Sequence, residues 1–308
     1  RSAFLKEREK SPPKLRDYIN AISEGTHFLQ RTLGSSPHFF NAVSSSGEKM
    51  TTPRDFVDAM QISPTRWGMS MMVELESLVE AGTWELVNAS SMTDKDNLTG
   101  TTWAYRVKDD GRLKSRLCAQ GFSNRFGIDV WETFSSVATI ESIRVAIALA
   151  AANQRRLSTY DVKSAYVQTP LHEEDRVFCK QAPGFDVRPN SKKPEDMEIL
   201  KWFEGLGLTV PDGDGSDVVY RLRRALYGNR NSGRLWQQFL FAWLISEGFD
   251  QLKSDECIWV YRKDGYDIEL YLYVDDILAS CADIASEEYF KGLFESRWDH
   301  SPNSGGLA

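Results

Sequence analysis

From Asp267 to Val274 apolar side chains fall on every second position, at Ile268, Leu270 and Leu272, and the run Ile277-Leu278-Ala279 resumes just beyond. Period two is the repeat of a strand with one buried face, so the pattern predicts two strands joined by a tight turn that carries Asp275 and Asp276. Arg156 to Val162 shows the same alternation, Leu157, Thr159 and Asp161 on one side and Ser158, Tyr160 and Val162 on the other. Residues 103–117 read as a hairpin. Trp103, Tyr105 and Val107 alternate with Arg106 and Lys108, Asp110-Gly111 supplies the turn, and Arg112, Lys114 and Arg116 then alternate with Leu113 and Leu117. A short strand is expected over Thr83–Val87.

Elsewhere the repeat lengthens to that of a helix. Ser63-Pro64 opens one with a stripe of Trp67, Met71, Leu75, Leu78 and Val79, closed by Gly82. Thr139 caps a second, with Ile143, Ala146, Ile147 and Ala150 on one face. Asn231-Ser232 opens a third, carrying Leu235, Trp236, Phe239, Leu240, Trp243 and Leu244 and stopping at Gly248; Ser286 caps a fourth, with Tyr289, Phe290, Leu293 and Phe294. The first 52 residues read as a helix opened by Pro12-Pro13, with Leu15, Ile19, Ile22 and Leu29 on one side, followed by a Ser-rich linker. Residues 187–217, rich in Pro, Gly and Asp, read as a surface insertion with one short helix over Leu200–Phe203. Residues 301–308 read as a disordered tail. The main body is thus expected over 53–300.

Composition narrows the class. The 308 residues are 41% hydrophobic, enough for a globular core. The longest apolar run, Val145–Ala152, is far too short to span a bilayer, so no membrane partner is expected. The chain starts at Arg1 without an initiator Met and is read as a piece of a longer polypeptide. Cys118, Cys179, Cys257 and Cys281 are widely spaced, which disfavours a zinc site or disulfide framework and suits a reducing compartment.

The net charge of -7 argues against nucleic-acid binding only if charge is averaged over the chain. Residues 103–126 hold six basic side chains against two acidic ones, and Arg221, Arg223, Arg224, Arg230 and Arg234 follow one another without an acid. Such runs are often solvated faces. Three cations in register on one strand suit a triphosphate or a nucleic-acid backbone better, as does the basic start of the Asn231 helix.

Adjacent carboxylates on an apolar hairpin lose hydration and repel each other, so Asp275-Asp276 favours a compensating cation. A polar turn is the plain alternative, and Asp109-Asp110-Gly111 is one in this same chain. A third acid, Asp161, ends a separate strand. Acids arriving from separate strands are the ligand supply that a two-magnesium site needs, because magnesium takes one or two protein carboxylates and fills its octahedron with phosphates and water. Two such ions about 4 Å apart clamp the attacking and leaving oxygens of an in-line phosphoryl transfer.

In order along the chain, Trp84-Glu85-Leu86-Val87, Arg116-Leu117-Cys118-Ala119-Gln120-Gly121-Phe122, Glu132-Thr133-Phe134-Ser135, Tyr160-Asp161-Val162-Lys163-Ser164-Ala165-Tyr166, Gln181-Ala182-Pro183-Gly184-Phe185, Leu226-Tyr227-Gly228 and Tyr273-Val274-Asp275-Asp276 resemble the reverse transcriptase of copia-type retrotransposons. The resemblance runs from Phe56 to Trp298. It implies an α+β right-hand polymerase with fingers and a ferredoxin-like palm sheet backed by helices, the thumb missing or truncated, because the pattern ends after Trp298. It implies RNA-directed DNA polymerase activity, with a primed RNA or DNA template and deoxynucleoside triphosphates as partners. By position it assigns Asp161, Asp275 and Asp276 as catalytic metal ligands, with the Val162 carbonyl joining them around two Mg2+ ions, replaceable by Mn2+. Tyr166 matches the aromatic under the incoming sugar, with a core aromatic as the other reading. Lys114 and Arg116 match triphosphate contacts, and Tyr227 and Gly228 the check on the nascent base pair. Integrase and RNase H domains are expected in the full element, in a cytoplasmic virus-like particle. The chain departs from the family's pattern at Ser136 and Gly233, where proline is usual, and in the length of the 187–217 insertion. A retroelement fragment that folds without polymerising is the alternative. A nucleotide cyclase is a further one, disfavoured by the cationic strand Arg112–Arg116.

Overall fold

A computed structural model describes residues 51–123, 134–298 and 305–306. The expected N-terminal helix, Glu132 and Thr133, and most of the tail lie outside the described residues. In chain order the elements are α1 (Phe56–Ile62), α2 (Pro64–Glu80), β1 (Trp84–Asn88), β2 (Leu98–Thr99), β3 (Thr101–Val107), β4 (Leu113–Ala119), α3 (Ile140–Ala152), β5 (Arg156–Asp161), α4 (Ala165–Gln168), β6 (Phe178–Cys179), α5 (Pro194–Gly205), β7 (Val218–Leu222), α6 (Ser232–Ser246), β8 (Asp250–Gln251), β9 (Ile258–Lys263), β10 (Tyr266–Tyr273), β11 (Asp276–Cys281), α7 (Ile284–Arg297) and β12 (Gly305–Gly306). They divide into two compact units, one built from described residues up to 123 and from 170 to 229, the other from 134 to 169 and from 230 onward.

In the first unit α2 follows its sequence pattern. Proline stands in its first turn, Trp67, Met71, Leu75 and Leu78 are buried, and Gly82 at φ +64° turns the chain out of the helix. That stripe packs on β4, which pairs with β3 as the alternation and Asp110-Gly111 required. A separate sheet runs in the order β1-β7-β6-β2, where the stacked rings of Trp84 and Tyr220 lie 4.3 Å apart. The 187–217 segment is more than a surface insertion. Its helix α5 spans Pro194–Gly205, not four residues, and buries Ile199 and Phe203, while Val187 is also buried. The Trp202 ring of this helix packs on Phe185 at 5.8 Å and on Phe203 at 5.0 Å, and the local density of Pro, Gly and Asp hides these apolar anchors.

The second unit carries a six-stranded sheet, β12-β5-β11-β10-β9-β8, antiparallel at every pairing described. Ile268, Leu270 and Leu272 of β10, Ile277 and Ala279 of β11 and Tyr160 of β5 share one core with Trp236, Leu240 and Leu244 of α6 and Phe290 and Phe294 of α7. Antiparallel strands packed with helices satisfy the α+β expectation. Two local expectations change. Helix α7 begins earlier than Ser286, because the Asp283 carboxylate is the cap and accepts the Ser286 N–H at 2.8 Å. Of the tail, Gly305 and Gly306 pair with Thr159 and Ser158 on the edge that β5 offers. No helix among the described residues is long and apolar enough to cross a membrane.

Candidate active site

Strand β10 ends at Tyr273 and β11 begins at Asp276, so Val274 and Asp275 form the two-residue turn between them. Val274 has φ +57°, and no positive φ occurs at Asp275. That sign pattern belongs to a type II′ hairpin, whose first central position usually holds glycine. On its other side β11 pairs with β5, which sets Asp276 directly opposite Asp161. The amide of Val162 donates to the Asp275 carbonyl at 3.1 Å and ties the turn to the end of β5. The fold thus brings Asp161, Val162, Asp275 and Asp276 together at one end of the sheet. Dehydration, then repulsion from Asp275 and Asp161, raises the Asp276 carboxyl above the usual carboxylate range.

Tyr166 lies on the short helix α4, just after Ser164, whose φ of +53° bends the chain sharply away from β5. Its ring is half-buried against the core of the second unit. A Cβ at Gly233 would stand 3.5 Å from its hydroxyl, in ordinary contact.

The remaining four expected site residues meet in the first unit. Lys114 lies opposite Arg106 and Arg116 opposite Ala104, so these cations share one face of the β3–β4 hairpin. Like charges directly across a strand pair are unfavourable by themselves and favour an anion. The Arg116 guanidinium lies 4.1 Å from the centre of the Tyr227 ring. The Tyr227 carbonyl accepts from the Ala119 amide at 2.7 Å, and that of Gly228 from Gly121 at 3.1 Å. Gly228 has φ +82°, and a Cβ there would collide with the Ala119 carbonyl oxygen. Only glycine permits this approach.

Sequence reasoning missed the acid beneath this hairpin. Glu74, from α2, accepts the Leu117 amide at 3.4 Å; burial raises its carboxyl, opposed by Arg116, the Leu117 N–H and Lys114. It also missed Trp236, whose indole N–H donates to the Val274 carbonyl at 2.7 Å. Two members of the acid-free arginine run find their acids elsewhere in the chain. Arg221 and Arg223 reach Glu85 at 3.4 and 3.0 Å, and Arg223 also reaches Glu173 at 3.4 Å. Strand β1 supplies the acid that the local sequence lacks, since Glu85 is the register partner of Arg221.

Among the described residues no three His, Cys, Asp or Glu side chains form a group that could hold a metal ion. The donor set still suits a hard cation. Asp161 and Asp276 are opposed, Asp275 adjoins them, and the dehydration and repulsion at Asp276 are what a cation relieves.

A family profile described as reverse transcriptase (RNA-dependent DNA polymerase) matches residues 81–200 and 205–302. The retrovirus-related Pol polyprotein from transposon RE1 of Arabidopsis thaliana is 30% identical over 267 residues, covering 84% of this chain and 16% of that protein. The corresponding polyprotein from transposon RE2 of the same plant is 32% identical over 233 residues, 73% of this chain and 14% of its own length. That from transposon TNT 1-94 of Nicotiana tabacum is 29% identical over 236 residues, 75% and 16%. The chain therefore spans only a small part of each relative. A foamy viral protease-reverse transcriptase solved in complex with double-stranded DNA aligns over 78% of this chain and 31% of its own, at 15% identity and a TM-score of 0.38. By the span of the profile and the identity to the two Arabidopsis polyproteins, the chain belongs to the reverse transcriptase (RNA-dependent DNA polymerase) family, in the branch carried by copia-type retrotransposon polyproteins.

Proposed function

We propose that this chain is the part of a retrotransposon polyprotein that adds deoxynucleotides to a primer on an RNA or DNA template. The observation that carries the reading is the opposition of Asp276 and Asp161 across β11 and β5, with Asp275 in the adjoining turn. These carboxylates and the Val162 carbonyl would hold magnesium, or manganese in its place. When bound, such ions stabilise charge on the attacking and leaving oxygens of an in-line phosphoryl transfer.

The chain's own residues supply position and charge. In the first unit, read as fingers, Lys114 and Arg116 neutralise the triphosphate. Tyr227 and Gly228, anchored through their carbonyls, present a fixed surface to the nascent pair. In the second unit, read as a ferredoxin-like palm, Tyr166 places a ring beneath the incoming sugar and leaves no room for a 2′-hydroxyl. Integrase and RNase H domains would lie elsewhere in the longer polyprotein, whose setting would be a cytoplasmic particle.

Primer extension on poly(rA) with an oligo(dT) primer and magnesium tests the reading, comparing this chain, its Asp275→Asn variant and a version extended on the C-terminal side. Incorporation that requires Asp275 in either length supports it. Silence from both lengths would instead favour a relic that folds without polymerising.

A further inference from the structure

Val274 is a β-branched residue in the left-handed region, a conformation such residues rarely adopt, and it immediately precedes both carboxylates of the turn. Something must hold it there. Its carbonyl accepts the Trp236 indole N–H at 2.7 Å, from the middle of the second unit's core. The next carbonyl, that of Asp275, accepts the Val162 amide at 3.1 Å. Both turn carbonyls are therefore gripped, one by a side chain and one by the strand end that bears Asp161.

Trp236 is well suited to this. It is 1% exposed, and its ring packs edge-on against Trp298 at 5.2 Å and 74°. An indole nitrogen only donates, so a buried tryptophan beside a carbonyl defines one arrangement. Phenylalanine would fill much of the space without defining the turn.

We propose that Trp236 is a positioning residue for the metal-binding carboxylates: its N–H···O bond holds the strained Val274 peptide and so sets where Asp275 and Asp276 stand relative to Asp161. This rests on the metal assignment made above. It predicts that the bond, rather than the bulk of the ring, governs how tightly the acids hold a divalent ion.

The test is Mn2+ binding by the whole chain without nucleotide, followed by electron paramagnetic resonance. Four variants are compared: Trp236→Phe, replacement of Trp236 by benzothienylalanine, which keeps the bicyclic shape and lacks the N–H, Trp298→Phe, and Asp276→Asn. Weakening by about tenfold is expected in both Trp236 variants, in the range of lost outer-shell hydrogen bonds. Trp298→Phe, which thins the same aromatic cluster and keeps the bond, should retain wild-type affinity. The benzothienylalanine protein keeps the test open if Trp236→Phe fails to fold. Unchanged affinity with benzothienylalanine, or an equal loss in Trp298→Phe, overturns the positioning role while the Asp276→Asn loss keeps the metal reading. A wild-type chain that binds no Mn2+ overturns both.

Discussion

Asp276 and Asp161 are register partners on β11 and β5, so strand pairing places two acidic residues from segments far apart in sequence side by side. The Asp276 carboxyl is raised by dehydration first and by repulsion from Asp275 and Asp161 next.

Asp275→Asn and Asp276→Asn should each abolish magnesium-dependent incorporation and leave the far-ultraviolet circular dichroism unchanged. Asp276→Asn should also stabilise the metal-free chain slightly at pH 7, by roughly half a kcal/mol at most, because the exposed position is screened by water. A folded pKa raised above the unfolded one means that stability falls as pH rises from the unfolded value to the folded one. Urea titrations should therefore show a larger gain of Asp276→Asn over the wild type at pH 7 than at pH 3.5.

Tyr166→Ala should admit ribonucleotides, with discrimination against the 2′-hydroxyl falling by about tenfold or more, as expected when a steric barrier is removed. Single-nucleotide incorporation of dTTP and UTP opposite rA measures it. Unchanged discrimination would leave Tyr166 as a core aromatic.

Gly228→Ala should destabilise the first unit by about 2 kcal/mol or more, since it combines a left-handed backbone with a collision at the Ala119 carbonyl. Faster hydrogen exchange at the Ala119 and Gly121 amides, which bond to Tyr227 and Gly228, would locate the damage.

Arg155→Met should cost the second unit about 2 kcal/mol in a urea melt, because the guanidinium bonds the Ser280 hydroxyl and carbonyl at 2.9 Å each and the Asp267 carboxylate at 3.0 Å. Arg155 is the main cause that holds the Asp267 carboxyl below its usual range. A depressed folded pKa contributes stability above the unfolded value that is lost as pH falls through the folded one. Between pH 5 and pH 2 the variant should therefore lose less stability than the wild type.

The local elements were legible in the order of residues. Period-two alternation, Asp110-Gly111 and the paired acids marked the two hairpins, and the Ser63-Pro64 start, the Trp67 to Leu78 stripe and Gly82 marked α2, because strand and helix repeats and turn preferences act over a few neighbouring residues. Thr139 was likewise readable as a cap, and its hydroxyl accepts the Ser142 amide at 3.1 Å. Of the stripe predicted for that helix, Ala146 and Ala150 are buried while Ile147 is exposed, since periodicity orders a face without showing what will cover it.

Tertiary structure alone decided the pairings. The opposition of Asp276 and Asp161, the joining of Tyr227-Gly228 to the cationic hairpin, the capture of Arg221 and Arg223 by Glu85, and the grip of Trp236 on the Val274 carbonyl all link residues distant in the chain. Strand register and buried hydrogen bonds depend on which segments meet, and a segment's own composition does not specify its partner. The sequence by itself thus determined which family the chain resembles and which short elements carry its candidate groups. Packing determined which of those groups stand together, because only contact removes water and lets one charge or dipole act strongly on another.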